Sequence, residues 1–260
     1  AVFKLNGSAL NNWGDKYTDR ELTGVAQQIG SKLVLTDTLT YKKDSVALYD
    51  GAFRIQKEDG KVIKVVDYPL YFRNVAKEKL PKEESKIYTW SANLSQSINP
   101  GWVILLTPLV VAFFTFLRSR KKEPSTPTKI AFGLLISALS VLVMVAAVHI
   151  GNNGAEKVSV WWLVANYGVI TIGELFLSPM GLSVVSKLSP KNITSLMMGG
   201  WFLATSIGNK LSGVLASMWD SYENKANFFW INFSLLLFAT LLMFALVKEL
   251  NKVMKEKGIN

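Results

Sequence analysis

The sequence predicts an all-α polytopic membrane protein with a small β-rich extracytoplasmic insert near its start. Three observations lead there. Half of the 260 residues are hydrophobic, and they gather in long blocks instead of spreading evenly. Several blocks reach the roughly 20 apolar residues that a helix needs to cross a bilayer. The Lys and Arg residues cluster at alternate joints between the blocks, the pattern that sets membrane orientation.

The elements follow in order. Residues 1–17 read as the outer part of a transmembrane helix, and the chain begins at Ala1 inside that pattern, as expected of a piece of a longer protein. Residues 18–89 carry half of the charges and form the insert. Within it, AFRIQ-KEDG-KVIKVV is two alternating runs about a Gly-containing turn, a hairpin signal. LVLTDTLTY and SVALYD are also strand-like. Residues 90–260 form a five-helix transmembrane region. Its spans are residues 98–117, 130–150, a Val158–Val185 stretch containing Glu174, a block at 195–219 with one Lys, and 227–247.

The joint RSRKKEPSTPTK is strongly basic, Lys187 and Lys191 follow the Glu174 span, and the tail KELNKVMKEKGIN is Lys-rich. The opposite joints, GNNGAEKVSV and DSYENKAN, are not. The positive-inside rule puts the basic set and the C-terminus in the cytoplasm and the insert outside. On this reading the net charge of +10 reports topology, not nucleic-acid binding. The chain has no Cys and one His, so it offers no thiolate metal site, disulfide framework or Cys nucleophile. It lacks a phosphate-binding Gly loop, GxSxG and HExxH, and these absences argue against an ATPase, serine hydrolase or zinc enzyme.

A carboxylate inside a span is costly and marks a functional site by default. Tyr167, Thr171, Glu174, Ser178 and Gly181 fall on one helical stripe. Pro179 removes a helical donor and is expected to break the helix beside Glu174, leaving a free carbonyl next to a carboxylate. A structural Glu paired to another helix is the competing reading. Its nearest candidate partner, Lys210, lies about 11 Å nearer the outer end at 1.5 Å per residue, so it either snorkels outward or lines a vestibule. Gly200, Ala204, Gly208, Ser212 and Ala216 form a small-residue seam for a close helix approach. Gln96 and Asn99 share a face ahead of Pro100, and Asn99 is either a helix cap or a cavity group. Trp201 is a gate or core aromatic.

Four stretches in order carry a resemblance. QSINP with a later TP, WWLVANYGVITIGELFLSPMGLSVVSKLSP, SLMMGGWFLATSIGN and the opening FKLNGSALNNWGDKYTDR resemble helices 8, 10, 11 and 7 of the proton-dependent oligopeptide transporter family. That family lies within the major facilitator superfamily. The resemblance implies the C-terminal half of a major-facilitator fold, comprising the end of helix 7 and helices 8–12, with the insert between helices 7 and 8. It further implies a proton-coupled importer of di- and tripeptides in the cell inner membrane, working by alternating access with a missing N-terminal six-helix half. The coupling ion would be the proton, with no other cofactor.

Glu174 would bind the peptide ammonium, and Asn99 would hydrogen-bond its backbone. Gln96 and Ser178 would join them, and Trp201 with Phe202 would form the cytoplasmic gate. Where many members carry aromatic-Glu-Gln on helix 7, this chain has Phe3-Lys4-Leu5, so Lys4 is expected to face the cavity, balanced by Glu174 or by a carboxylate of the missing half. That departure leaves open an importer of another small solute, such as nitrate or a modified amino acid. A membrane-anchored binding module is the reading from a different class.

Overall fold

The computed structural model describes residues 9–33, 35–51, 53–91, 94–190 and 192–256. Its first element is α1 (Ala9–Lys16), followed by β1 (Thr18–Asp19) and α2 (Gly24–Lys32). The strands β2 (Thr36–Thr40), β3 (Asp44–Ala47), β4 (Lys57–Glu58), β5 (Lys61–Val62), β6 (Lys64–Asp67) and β7 (Lys86–Trp90) come next. The long helices are α3 (Ser95–Ser119), α4 (Thr126–Ile150), α5 (Val160–Leu188), α6 (Thr194–Ser217) and α7 (Lys225–Glu256), with β8 (Val158–Ser159) leading into α5.

Four of these helices are long and apolar enough to cross a membrane: Ser97–Ser119 within α3, then α4, α5 and α7. The fifth expected span, α6, is a helix of 24 residues, so it has the length but not the composition. Thr205, Asn209, Lys210 and Ser212 interrupt its apolar residues. Large side chains cover the outer surfaces, among them Ile104, Leu105, Phe202, Leu203, Phe238 and Leu241, all more than half exposed. Contiguous exposure on that scale is untenable in water and ordinary against lipid or neighbouring spans.

The core centres on α4, the most buried of the long helices. Ala131, Gly133, Ser137, Ala138, Ser140 and Ala147 on it are buried. Such small residues let helix backbones approach, which in a bilayer replaces hydrophobic collapse as the source of helix association. At the end of the bundle nearest the strands, an aromatic cluster joins four separate segments. Trp13 stacks on Tyr17 at 4.8 Å, Tyr17 meets Phe53 at 5.1 Å, and Trp219 meets Phe228 at 5.1 Å and Phe229 at 5.8 Å.

The segment between α1 and α3 contains three antiparallel strand pairs: β2 with β7, β3 with β6, and β4 with β5. Thr36 faces Trp90, and Thr40 faces Lys86. The KEDG turn closes β4 onto β5 with Asp59 and Gly60 both at positive φ, the geometry that favours a tight hairpin. Tyr71, Phe72 and Ile87 form a small second core there. A short parallel pair, β1 with β8, ties the end of α1 to the start of α5.

The expected break at Pro179 does not occur, and α5 runs as one helix of 29 residues through it. α3 likewise runs through Pro100 and Pro108. Proline removes one donor, but packing against neighbours holds a membrane helix together across that gap. Here Gly173 rests on Gly133, and Gly181 rests on Trp201.

Candidate functional site

Glu174 sits at the midpoint of α5, fourteen residues from either end, or about 21 Å at 1.5 Å per residue. Facing it is Asn99, which lies inside α3 and not at its cap. Asn99 Nδ2 donates to Glu174 Oε2 at 3.5 Å. The Thr171 hydroxyl, fully buried one turn before Glu174, lies 2.8 Å from Asn99 Oδ1 and 2.7 Å from the Tyr167 carbonyl oxygen. A hydroxyl has one proton, so it donates to one of these acceptors at a time. When it donates to Asn99 Oδ1, it orients the amide so that Nδ2 faces the carboxylate. One turn along α3, Trp102 Nε1 donates to the Val164 carbonyl at 3.1 Å. Its ring lies against Gly168, where a Cβ would come within 3.3 Å. Four side chains, those of Asn99, Trp102, Thr171 and Glu174, thus link α3 to α5.

Among the described residues, Glu174 belongs to no ion pair. Both Glu174 and Asn99 remain partly exposed. The site therefore presents an uncompensated carboxylate beside an amide that can donate or accept. That arrangement suits an ammonium group next to a peptide bond. Lys210 is exposed on α6 and is absent from the ion pairs of the described residues.

Behind Glu174 the helices touch. A Cβ on Gly173 would fall 2.3 Å from Ser137 Oγ and 2.8 Å from the Gly133 carbonyl oxygen, so α4 and α5 meet backbone to backbone there. This contact was missed in the sequence, although Gly133 and Ser137 stand four residues apart, the same small-residue spacing as the α6 seam. On α6 that seam is largely open: Ser212 is buried, but Gly200 has nothing within 4 Å of its would-be Cβ.

The other expected site residues divide. Ser178 is exposed on the stripe of Glu174, one turn away. Trp201 packs its ring on Gly181, within 2.3 Å of a would-be Cβ, and lines an apolar cavity of about 690 Å³ with Val185, Leu196 and Leu203. Phe202 points outward and is 59% exposed. Gln96 lies in the first turn of α3, three residues from Asn99. Lys4 falls outside the described residues.

Two polar clusters hold the helix ends. In the basic joint, Glu123 accepts from Arg118 Nε at 2.6 Å and from the buried Lys129, whose ammonium lies 4.4 Å from the Phe114 ring centre. Those hydrogen bonds, from Arg118 first and Lys129 second, pull the Glu123 carboxyl down to about 2. At the other end, Lys157 donates to the carbonyls of Lys16 and Thr18 and sits over the Tyr71 ring at 4.1 Å. Burial, helped by the nearby Arg20 charge, lowers the Lys157 ammonium to about 7. Tyr71 in turn donates to Asp19 Oδ1 at 2.9 Å. The strand segment is thereby bonded to the turn that starts α5.

Comparison with known proteins agrees with this architecture. Dipeptide and tripeptide permease A of Proteus mirabilis is 36% identical over 132 residues, 51% of this chain and 26% of that protein. A peptide transporter of Yersinia enterocolitica is 40% identical over 121 residues, 46% of this chain and 24% of its own length. The matched stretch is about a quarter of each curated relative. Among solved structures, the peptide transporter POT aligns over 64% of this chain and 32% of its own at 30% identity, with a TM-score of 0.56. A POT family transporter crystallised with 5-aminolevulinic acid aligns over 96% of this chain and 38% of its own at 21% identity, with a TM-score of 0.63. Members of the POT family are transporters and not enzymes, and the model of that family matches residues 83–231, a stretch that contains Asn99, Glu174 and Trp201. With more than half of its length covered by that match, the chain belongs to the POT family.

Proposed function

We propose that this chain forms the ammonium-binding side of a proton-coupled importer of di- and tripeptides. The observation that carries the reading is the Glu174–Asn99–Thr171 arrangement at mid-depth of α5. Glu174 takes the peptide N-terminus. Asn99, oriented by Thr171, bonds the first peptide unit, and Trp201 with Phe202 gates the opposite end. A second six-helix half closes the cavity and supplies the groups for the peptide carboxylate and the proton. The two halves rock about the site, with the strand segment outside and the C-terminus in the cytoplasm. The naming of its relatives as peptide permeases supports the substrate class.

The test is concentrative uptake of labelled dialanine by the full-length protein, with Glu174→Gln against wild type. Gln preserves size and hydrogen bonding but not charge. Uptake should fall to background with expression unchanged, and dialanine affinity should drop by about tenfold or more, the scale of a partly buried charge pair. Wild-type uptake and affinity in that variant would refute the assignment. A variant that loses dialanine but never recognised it better than an amino acid would point to the other small-solute reading.

A further inference from the structure

A second polar cavity, of about 550 Å³, lies where the strand segment meets the end of the helix bundle. We propose that it is a capture site for short zwitterionic peptides, upstream of the central site. The inference rests on the peptide-transport reading and on the proposed placement of this end outside the cell.

Three observations carry it. The first is charge. Arg54 and Asp50 in its wall are bonded to each other at 2.6 Å, and the remaining pair of opposite charges, Arg73 and Glu223, takes part in none of the ion pairs formed among the described residues. Both side chains are exposed to the cavity mouth. Arg73 is held in place, donating to the Tyr49 carbonyl at 3.0 Å and stacking over Phe53 at 5.3 Å. A planar guanidinium fixed at one edge is suited to a carboxylate. Glu223 suits an ammonium. A zwitterion of dipeptide size satisfies both, and neither a simple anion nor a simple cation does.

The second is an orphan acceptor. Asn74, 4% exposed in the cavity wall, spends its Nδ2 on the Lys16 and Gly154 carbonyls, while its Oδ1 has no hydrogen-bond partner among the described residues. A buried amide oxygen without a donor costs about 1–3 kcal/mol; this one is closed to solvent, so a peptide N–H pairs with it only after the side chain turns toward the cavity. The third is strained backbone. Phe53, Asn152 and Asn153, all lining this cavity, have φ of 59°, 46° and 58°. For a bulky residue such as Phe this is a rare conformation, and strain of that kind collects at ligand sites.

The cavity draws its walls from the strand segment, the α4–α5 turn and the α6–α7 joint. The experiment is isothermal titration of the purified full-length protein with dialanine, in a Glu174→Gln background that weakens the central site. Dialanine binding should persist there. Adding Glu223→Gln should weaken it about fivefold, and adding Arg73→Gln similarly, the scale of an exposed ion pair. N-acetylation of the ligand should remove the effect of Glu223→Gln, and amidation of its C-terminus the effect of Arg73→Gln. Glu223 gives the fold its backbone carbonyl, to Asn153 Nδ2 at 3.0 Å, and its carboxylate acts on Arg54 through charge alone, so Glu223→Gln keeps the backbone bond and the side-chain size. The proposal is overturned if neither variant changes the residual affinity, or if Glu174→Gln alone abolishes all binding. Unaltered affinity in the Glu174→Gln protein with sensitivity to Glu223→Gln would sink the central assignment and leave this one standing.

Discussion

Gly173→Ala tests whether the site depends on the α4–α5 contact behind it. A Cβ at this position would lie 2.3 Å from Ser137 Oγ, 2.8 Å from the Gly133 carbonyl oxygen and 3.1 Å from Ser137 N. The hydroxyl can rotate away, but the backbone atoms cannot. Relaxing the 2.8 Å contact to the 3.4 Å of ordinary van der Waals contact moves α5 away from α4 by about 0.6 Å. Overpacking of that kind costs about 1–3 kcal/mol, while Ala gains about 1 kcal/mol over Gly in a helix. The clash wins by about 1 kcal/mol, which lowers the melting temperature. The next residue is Glu174, whose 3.5 Å contact with Asn99 on the facing helix α3 does not keep its geometry through a displacement of this size. Losing that bond costs about 1.5 kcal/mol, close to tenfold in dialanine affinity. The assay is thermal unfolding together with dialanine titration of the full-length protein. Ser137→Ala added to Gly173→Ala should recover only part of the loss, because the Gly133 carbonyl remains. A Gly173→Ala protein that melts higher and binds dialanine as well as wild type would refute the reasoning.

Thr171→Val removes the hydroxyl beside Asn99 Oδ1 while keeping the shape; dialanine affinity should fall about tenfold, and Thr171→Ser should keep most of it, as read by titration. The Glu123 carboxyl titrates at about 2 in the folded protein and at the ordinary 4.5 when free, so its ion pairs contribute full stability above pH 4.5 and lose it as the pH falls through 2. In Glu123→Gln the fall in melting temperature between pH 5 and pH 3 should be shallower than in wild type. Lys157 titrates at about 7 folded against 10.5 free, so the unfolded chain binds more protons between those values and stability rises with pH across that window. Lys157→Met should flatten that rise in a series of unfolding curves from pH 7 to pH 10.

The parts legible in the sequence were those governed by local rules. Span lengths follow from apolar run length, so α4, α5 and α7 fall where the hydropathy puts them. The hairpin at Asp59–Gly60 follows from turn chemistry. Glu174 stands out because a carboxylate in a span has a cost that only a partner or a function offsets, and the face it shares with Thr171 follows from helical spacing. The bonds of Asn99 to both were not readable, since 72 and 75 residues separate the partners and spacing says nothing across helices.

Other features were decided by tertiary packing. Pro179 reads as a break by local chemistry, yet α5 continues through it because neighbouring helices hold it. The α6 seam and the Gly133–Gly173 contact have the same kind of sequence signature, yet Gly173 meets a neighbouring helix while Gly200 of the seam has nothing within 4 Å among the described residues. Small residues permit a close approach without specifying which helix makes it. The same holds for Arg73 and Glu223, 150 residues apart, which come to line one cavity only when the strand segment folds back onto the helix ends. By itself the sequence determined where the chain enters the membrane and which carboxylate it hides there, because those follow from transfer cost and helical period. What surrounds that carboxylate, and what lines the cavity at the strand end of the bundle, was decided by contacts between segments distant in sequence, whose energies no local pattern encodes.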